Sequence, residues 1–207
     1  GFHGASHRFI GERMQQLLSV PEPRVISCHL GGSNSLCAMR GGVSVANTLG
    51  MSPQTGIPHN NRVGDFDPFA IPIVMRETGQ SLEEVLDDLA NQSGLLGLSG
   101  ISGDCRDLEE AAATGNPDAQ LALNVFVAEI RRHLGGLLLQ LGGAEAIVFT
   151  GGIGENGTAI REAVCEELSE LGIALDVQRN QSSDNETLVS TDSSKVQIWV
   201  VPTNEEI

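Results

Sequence analysis

Residues 146–157, AIVFTGGIGENG, constrain the fold most. AIVFT is a short buried strand, and the glycines turn it directly into a helical pattern with Ile160, Val164, Leu168 and Leu171 on one stripe. A strand, a glycine corner and a helix start in immediate succession form a building unit of α/β architecture. Glycines let a ligand approach the backbone closely, and free N–H groups of a first helical turn attract anions. A nucleotide phosphate or ribose could sit at this corner; the alternative is a plain tight turn. The spacing is neither the dinucleotide-binding fingerprint nor a P-loop.

The rest of the chain extends that pattern. Residues 5–19 carry Phe9, Ile10, Met14, Leu17 and Leu18 at helical spacing, stopped by Pro21 and Pro23. Residues 24–30, 35–39 and 43–47 read as a meander of three strands with Gly-rich connections. Residues 50–68 are irregular and turn-rich, a length of polar loop usually tied to function. Helices follow at about 69–78, 81–91, 105–114 and 117–141, the last apolar on two faces and so expected to have neighbours on both sides. Residues 173–192 read as a polar loop around an edge strand at 186–190, and residues 196–201 form the last strand. The sum is α/β with a mixed sheet.

Composition then excludes partners. With 12 Lys+Arg against 27 Asp+Glu, a net charge of -15 over 207 residues leaves no basic face for nucleic acid. No apolar run approaches the roughly 20 residues of a membrane span. Cys28, Cys37, Cys105 and Cys165 are scattered without metal-ligand spacing, as expected of reduced core thiols in a cytoplasmic protein. The chain opens on Gly1 rather than Met and stops just after Glu205-Glu206, so it reads as a piece of something longer.

Five further places could carry chemistry, each with a plain structural alternative. The His29-Leu30-Gly31-Gly32-Ser33-Asn34-Ser35 turn could cradle a phosphoryl group or be simply a hairpin. In Gly1-Phe2-His3-Gly4-Ala5-Ser6-His7, either imidazole could stabilise an oxyanion; alternatively Ser6 caps the helix and both histidines are solvated. Arg62 could grip a carboxylate or phosphoryl oxygens, or pair locally with Asp65 or Asp67. Asp104-Cys105-Arg106 could reach a nucleotide, or Asp104 could cap a helix, and Glu205 could hold Mg²⁺ through water or be solvated.

The wording and order of these blocks resemble the acetate and propionate kinase family, and in particular the C-terminal part of an acetate kinase. GFHGASH resembles the family's FHGTSH, GLSGISGDCRDL its GLSGxSxDxRDL, FTGGIGENG its FTAGIGENS, VPTNEE its PTNEE, and RVGDFDP its R-x-G-D-[IF]-D-P. The chain differs in HLGGSNS, where the family reads HLGNGAS, and in Asn60-Asn61-Arg62, where it reads GTR. The resemblance covers all 207 residues. It implies a ribonuclease-H-like domain of the actin and sugar-kinase ATPase type, with a mixed five-stranded sheet flanked by helices. It also implies that residues 1–207 are a C-terminal nucleotide-binding and dimerisation domain without the N-terminal domain. By the same resemblance His3 would stabilise the transition state, and Arg62 would hold the carboxylate and the transferring phosphoryl group. His29, Leu30, Gly31, Gly32 and Ser33 would lie along the ATP phosphates. Asp104, Cys105 and Arg106, with Gly152, Ile153, Gly154, Glu155 and Asn156, would hold the nucleotide, and Glu205 would position Mg²⁺. The implied reaction is reversible phosphoryl transfer from ATP to acetate or another short carboxylate, giving an acyl phosphate and ADP in a homodimer. A chain lacking the first domain would be inactive alone; the alternative is a non-catalytic nucleotide-binding or dimerisation module, or a kinase of the propionate or butyrate type.

Overall fold

The computed structural model describes residues 2–203. Its elements are α1 (Gly4–Leu17), β1 (Arg24–His29), β2 (Ser35–Arg40), β3 (Val43–Asn47), α2 (Ile71–Thr78), α3 (Leu82–Asn91), α4 (Gly94–Ser99), α5 (Cys105–Ala113) and α6 (Pro117–Leu141). These are followed by β4 (Ala146–Thr150), α7 (Gly151–Asn156), α8 (Thr158–Cys165), α9 (Val177–Gln181), β5 (Thr187–Leu188) and β6 (Gln197–Val200). The chain divides into two compact units, Gly1–Thr48 with Ile130–Ile207, and Leu49–Glu129.

The first unit is built on one mixed sheet of order β3-β2-β1-β4-β6-β5. The β1, β2 and β3 hairpins are antiparallel, β4 lies parallel to both β1 and β6, and β5 runs antiparallel to β6. The sheet therefore has six strands rather than five. The sixth is the two-residue β5, held at the edge by the fully buried Val189, whose N–H donates to the Ile198 carbonyl at 2.8 Å. On one face of the sheet lies α1. Its Ile10 and Met14, one helical turn apart, are fully buried against Val25, Met39 and Val148.

Two helix readings need correction here. The stripe assigned to one helix through Leu171 ends at Cys165, because Arg131 Nη1 caps the carbonyls of Ala163 and Glu166 and Glu167 takes a positive φ of 57°. Leu171 is then left 66 % exposed. The polar stretch 173–192 contains α9, started by the Asp176 carboxylate, which accepts from the N–H groups of Gln178 and Arg179.

The second unit holds α2 to α5 and residues 117–129 of α6. A reciprocal Ser81–Glu84 capping box starts α3. The apolar second face of α6 does not find cover as expected: Leu121 is 50 % and Leu139 84 % exposed, while Phe126, Ile130 and Leu134 are buried. No helix among the described residues is long and apolar enough to cross a membrane. All four cysteines are free and buried.

Candidate active site

Because β1 and β4 are parallel neighbours, their C-terminal ends lie at the same edge and the turns that follow them run side by side. His29 registers with Thr150, and the Leu30 N–H donates to the Thr150 carbonyl at 2.9 Å. The Leu30 carbonyl then accepts from Ile153 at 2.9 Å and Gly154 at 3.1 Å, welding the His29–Ser33 turn to α7. This close approach requires glycine at 151: its φ is +79°, and a Cβ there would stand 2.7 Å from the Leu30 oxygen. A Cβ on Gly31 would stand 3.9 Å from the Gly152 nitrogen and 3.9 Å from His29 Nε2, so the two glycine turns form one seam whose neighbouring side chain is His29.

The helix start at this seam is not the open row of amides that the sequence suggests. Ile153 and Gly154 spend theirs on Leu30, and Gly151 donates to Glu155 Oε1 at 2.9 Å. Of the first four amides of α7, only that of Gly152 has no recorded partner, and it faces Gly31. Glu155 Oε1 also accepts from the Thr203 N–H at 2.9 Å, so this side chain ties the corner to the segment after β6. Leu30 is fully buried with both its backbone groups spent, which leaves Gly31, Gly32, Ser33 and Gly152 as the open part of the seam. The buried Asn34 closes the turn by accepting from the Gly31 N–H at 3.0 Å. Exposed Asn156 donates to the Gly152 carbonyl at 2.9 Å.

Beside the seam three imidazoles gather. His3 precedes α1 in a left-handed conformation, φ 55°, uncommon for a residue with a Cβ and a mark of local strain. Its ring stacks on His29 with centroids 4.0 Å apart and an interplanar angle of 22°, and its Nδ1 meets Ser35 Oγ at 2.8 Å. His29 Nδ1 meets Ser6 Oγ at 2.8 Å, and the Thr203 hydroxyl donates to Ser6 Oγ at 2.9 Å. His7 is bracketed by Ser27 at 3.0 Å and Ser35 at 2.8 Å. The reading of Ser6 as a cap with both histidines solvated is thereby corrected: Ser6 and His7 lie inside α1 and are buried, and only His3 is partly open. Burial, then repulsion from the neighbouring imidazoles, lowers His7 to about 3. His29 is lowered to about 4, by burial first and by His3 second. Both are neutral at pH 7, so these two rings offer N–H donors and ring faces rather than charge.

Arg62 and Asp104–Arg106 belong to the second unit. The Arg62 loop is clamped by α4: the amides of Ser93, Leu95 and Leu96 donate to the carbonyls of Asn61, His59 and Asn60. Asp65 accepts from the Gly56 N–H and Asp67 caps the Phe69 N–H, so neither pairs with the arginine. The half-buried guanidinium of Arg62 donates to the Pro53 carbonyl at 3.1 Å, and burial lowers its pKa. A partly desolvated cation with no carboxylate partner among the described residues is suited to an anionic ligand. Asp104 caps α5 through the Arg106 N–H and grips the Arg106 guanidinium at 2.6 Å, which holds its carboxyl below the usual range. Cys105 is buried, and burial pushes its thiol up to about 12, so it serves packing. Glu205 lies outside the described residues. Among the described residues no group of three or more His, Cys, Asp or Glu side chains gathers to hold a metal.

Three features were not singled out from sequence. Ser35 joins two imidazoles, the Thr150 hydroxyl is fully buried without a partner, and Arg161 is fully buried. Arg161 donates to the carbonyls of Gly154 at 2.9 Å and Glu155 at 2.8 Å and to Asn180 Oδ1 at 2.7 Å, holding the far end of α7. Its position on the apolar stripe of α8, next to Ile160, was the available signal.

A parallel-edge seam of glycines, with stacked imidazoles beside it, is the kind of corner at which α/β folds bind ligands, outside the carboxyl ends of their parallel strands. The chain belongs to the acetokinase family, whose model matches residues 1–207. A propionate kinase from Citrobacter rodentium and an acetate kinase from Shouchella clausii are each 44% identical over 209 residues, covering 100% of this chain and 51% and 53% of the relatives. Among solved structures, an acetate kinase from Porphyromonas gingivalis superposes with a TM-score of 0.95 at 36% identity, over 100% of this chain and 52% of that one. A propionate kinase from Francisella tularensis gives 0.92 at 33%, over 100% and 53%. The chain spans about half the length of the curated relatives it matches.

Proposed function

We propose that this chain supplies the C-terminal, nucleotide-binding half of an acetate kinase, transferring a phosphoryl group reversibly between ATP and acetate or another short carboxylate. One observation beyond family membership carries the reading: the His29 ring, stacked on His3, borders a glycine seam where Gly31 approaches the Gly152 backbone nitrogen. The seam admits the phosphate chain against backbone, with the Gly152 N–H and the Ser33 hydroxyl as donors to its oxygens. His3 donates an N–H to an equatorial oxygen of the transferring group. Arg62 supplies the permanent cation that binds the substrate carboxylate and offsets charge building on that group. Arg106 and Asn156 are exposed and Asp104 is half-buried, and we assign all three to the nucleoside.

Mg²⁺ bound with the nucleotide supplies charge neutralisation between phosphate oxygens. Mg²⁺ takes one or two carboxylates plus phosphates and waters rather than an all-protein cage. Glu205 is the side chain we assign to it. The exposed Leu121 and Leu139 of α6 support a homodimer, and four free buried cysteines support a cytoplasmic location.

The test has two arms. Calorimetric titration of this chain with Mg-ATP is expected to give saturable heat, and none at millimolar nucleotide favours a non-catalytic module instead. The coding region upstream of Gly1 is expected to encode the remaining half, and the joined protein to form acyl phosphate from acetate and ATP in a coupled assay. Arg62→Ala in the joined protein is expected to abolish that signal. Turnover retained in that variant refutes the role given to Arg62.

A further inference from the structure

A string of hydroxyls and imidazoles runs from the sheet to His3. Ser27 Oγ lies 3.0 Å from His7 Nδ1, His7 Nε2 lies 2.8 Å from Ser35 Oγ, and Ser35 Oγ lies 2.8 Å from His3 Nδ1. Ser27 and Ser35 are fully buried and His7 is 4 % exposed, so their protons have to be placed on one another. Each hydroxyl carries one proton and each neutral imidazole one N–H, which leaves two self-consistent arrangements. In the outward arrangement His3 donates from Nδ1 to Ser35, Ser35 to His7 and His7 to Ser27. The Ser27 proton then has no acceptor, since His7 Nδ1 is the only recorded partner of that hydroxyl among the described residues. A buried donor left without an acceptor is costly. In the inward arrangement Ser27 donates to His7 Nδ1, His7 Nε2–H to Ser35 and Ser35 to His3 Nδ1. Every donor in the string is then used.

We infer that Ser27, His7 and Ser35 order the protons in one direction and so hold His3 as its Nε2–H tautomer, presenting an N–H rather than a lone pair to the reacting phosphoryl oxygen. The use of that N–H rests on the function proposed above; the tautomer itself rests only on the hydrogen-bond string. Burial keeps His7 neutral, as the inward arrangement needs. Ser35 and His7 are positioning residues, acting through His3. A separate string from Thr203 through Ser6 reaches His29 Nδ1, so His29 is an internal control.

The test is two-bond ¹H–¹⁵N correlation spectroscopy of the histidine-labelled chain, which reads the tautomer of each ring. The wild type is expected to show His3 as Nε2–H. Ser35→Ala and the remote Ser27→Ala are each expected to spread His3 over both tautomers while His29 keeps its own, and Ser35→Thr is expected to restore His3. His3 found as Nδ1–H in the wild type, or unmoved in both alanine variants, overturns the inference. In the joined protein Ser35→Ala is expected to lower kcat by on the order of tenfold or more, with the KM for ATP held within about twofold. A scrambled tautomer with unchanged kcat overturns the assigned use of the N–H. Absence of acyl phosphate formation by the wild type overturns the functional reading, and the spectra still decide the tautomer.

Discussion

Acidification from pH 7 to pH 5 addresses the histidine cluster selectively, because ordinary carboxylates stay ionised over most of that range. In the unfolded chain an imidazole takes up its proton near 6.5, whereas folded His29 does so only at about 4 and His7 at about 3. Between those values the unfolded state binds more protons than the folded one, so stability falls as pH falls. The contribution is fully present above 6.5 and is lost progressively toward 4 for His29 and toward 3 for His7. From pH 7 to pH 5 each ring accounts for about 2 kcal/mol, at about 1.4 kcal/mol per pKa unit. The two do not add in full, because part of the His7 shift is repulsion from His29 itself. The expected loss is therefore between about 2 and 4 kcal/mol. Relief of self-repulsion in a chain of charge -15 acts in the opposite direction on acidification, so the comparison must be paired. Urea unfolding followed by the single tryptophan, Trp199 in the sheet unit, gives the stability at both pH values. His7→Gln keeps an amide able to meet Ser27 and Ser35 but cannot titrate, so its pH-dependent loss is expected to be smaller by about 2 kcal/mol. An equal loss in variant and wild type refutes the account of buried neutral imidazoles.

Four other substitutions separate scaffold from site. Gly151→Ala forces a Cβ to 2.7 Å from the Leu30 oxygen at positive φ and is expected to cost at least about 2 kcal/mol in urea unfolding. Gly152→Ala meets nothing within 4 Å and is expected to melt like wild type while weakening Mg-ATP in calorimetry. Arg161→Met strands the carbonyls of Gly154 and Glu155 and the Asn180 side chain, and is expected to lower the unfolding free energy by at least about 3 kcal/mol. Thr150→Val removes a buried hydroxyl that has no partner and is expected to raise stability by about 1 kcal/mol. If that hydroxyl is kept for a ligand, the same variant lowers Mg-ATP affinity; unchanged affinity assigns it no part in binding.

The sheet was legible in the sequence because its strands are apolar runs punctuated by glycine, and α6 was legible because Leu123, Phe126, Ile130, Leu134 and Leu137 keep helical spacing along a helix of 25 residues. The short helix α7 was not. Three glycines among its six residues oppose helix formation by about 1 kcal/mol each, so local propensity predicts a turn. What makes it a helix is tertiary: the Leu30 carbonyl and the Glu155 carboxylate at its start, and Arg161 at its end. The histidines were visible as residue types near a helix start, but their burial depends on the serines of β1 and β2. Those lie 20 to 32 positions away along the chain, beyond the reach of any local pattern. The Arg62 loop reads as irregular for a similar reason, since its order comes from amides of α4 that follow it by some thirty residues.

The same tertiary constraints give the seam its chemical character. A chain with 27 acidic side chains and a single lysine has few cations to gather around a polyphosphate, and its best-buried cation, Arg161, is consumed by carbonyls and Asn180. The corner therefore works through geometry. Gly152 is fixed on one side by the Ile153 and Gly154 amides on Leu30, and on another by Glu155 bridging Gly151 and Thr203. Arg161 fixes it from a third side. A ligand laid on that backbone orders nothing that is not already ordered, which preserves affinity that a mobile loop would forfeit as conformational entropy. Preorganised neutral donors lose little to salt screening and present no net charge to repel an anion. Within the sheet unit of so acidic a protein, backbone amides and the buried, neutral rings of His7 and His29 carry the polar character of the corner without adding charge to it.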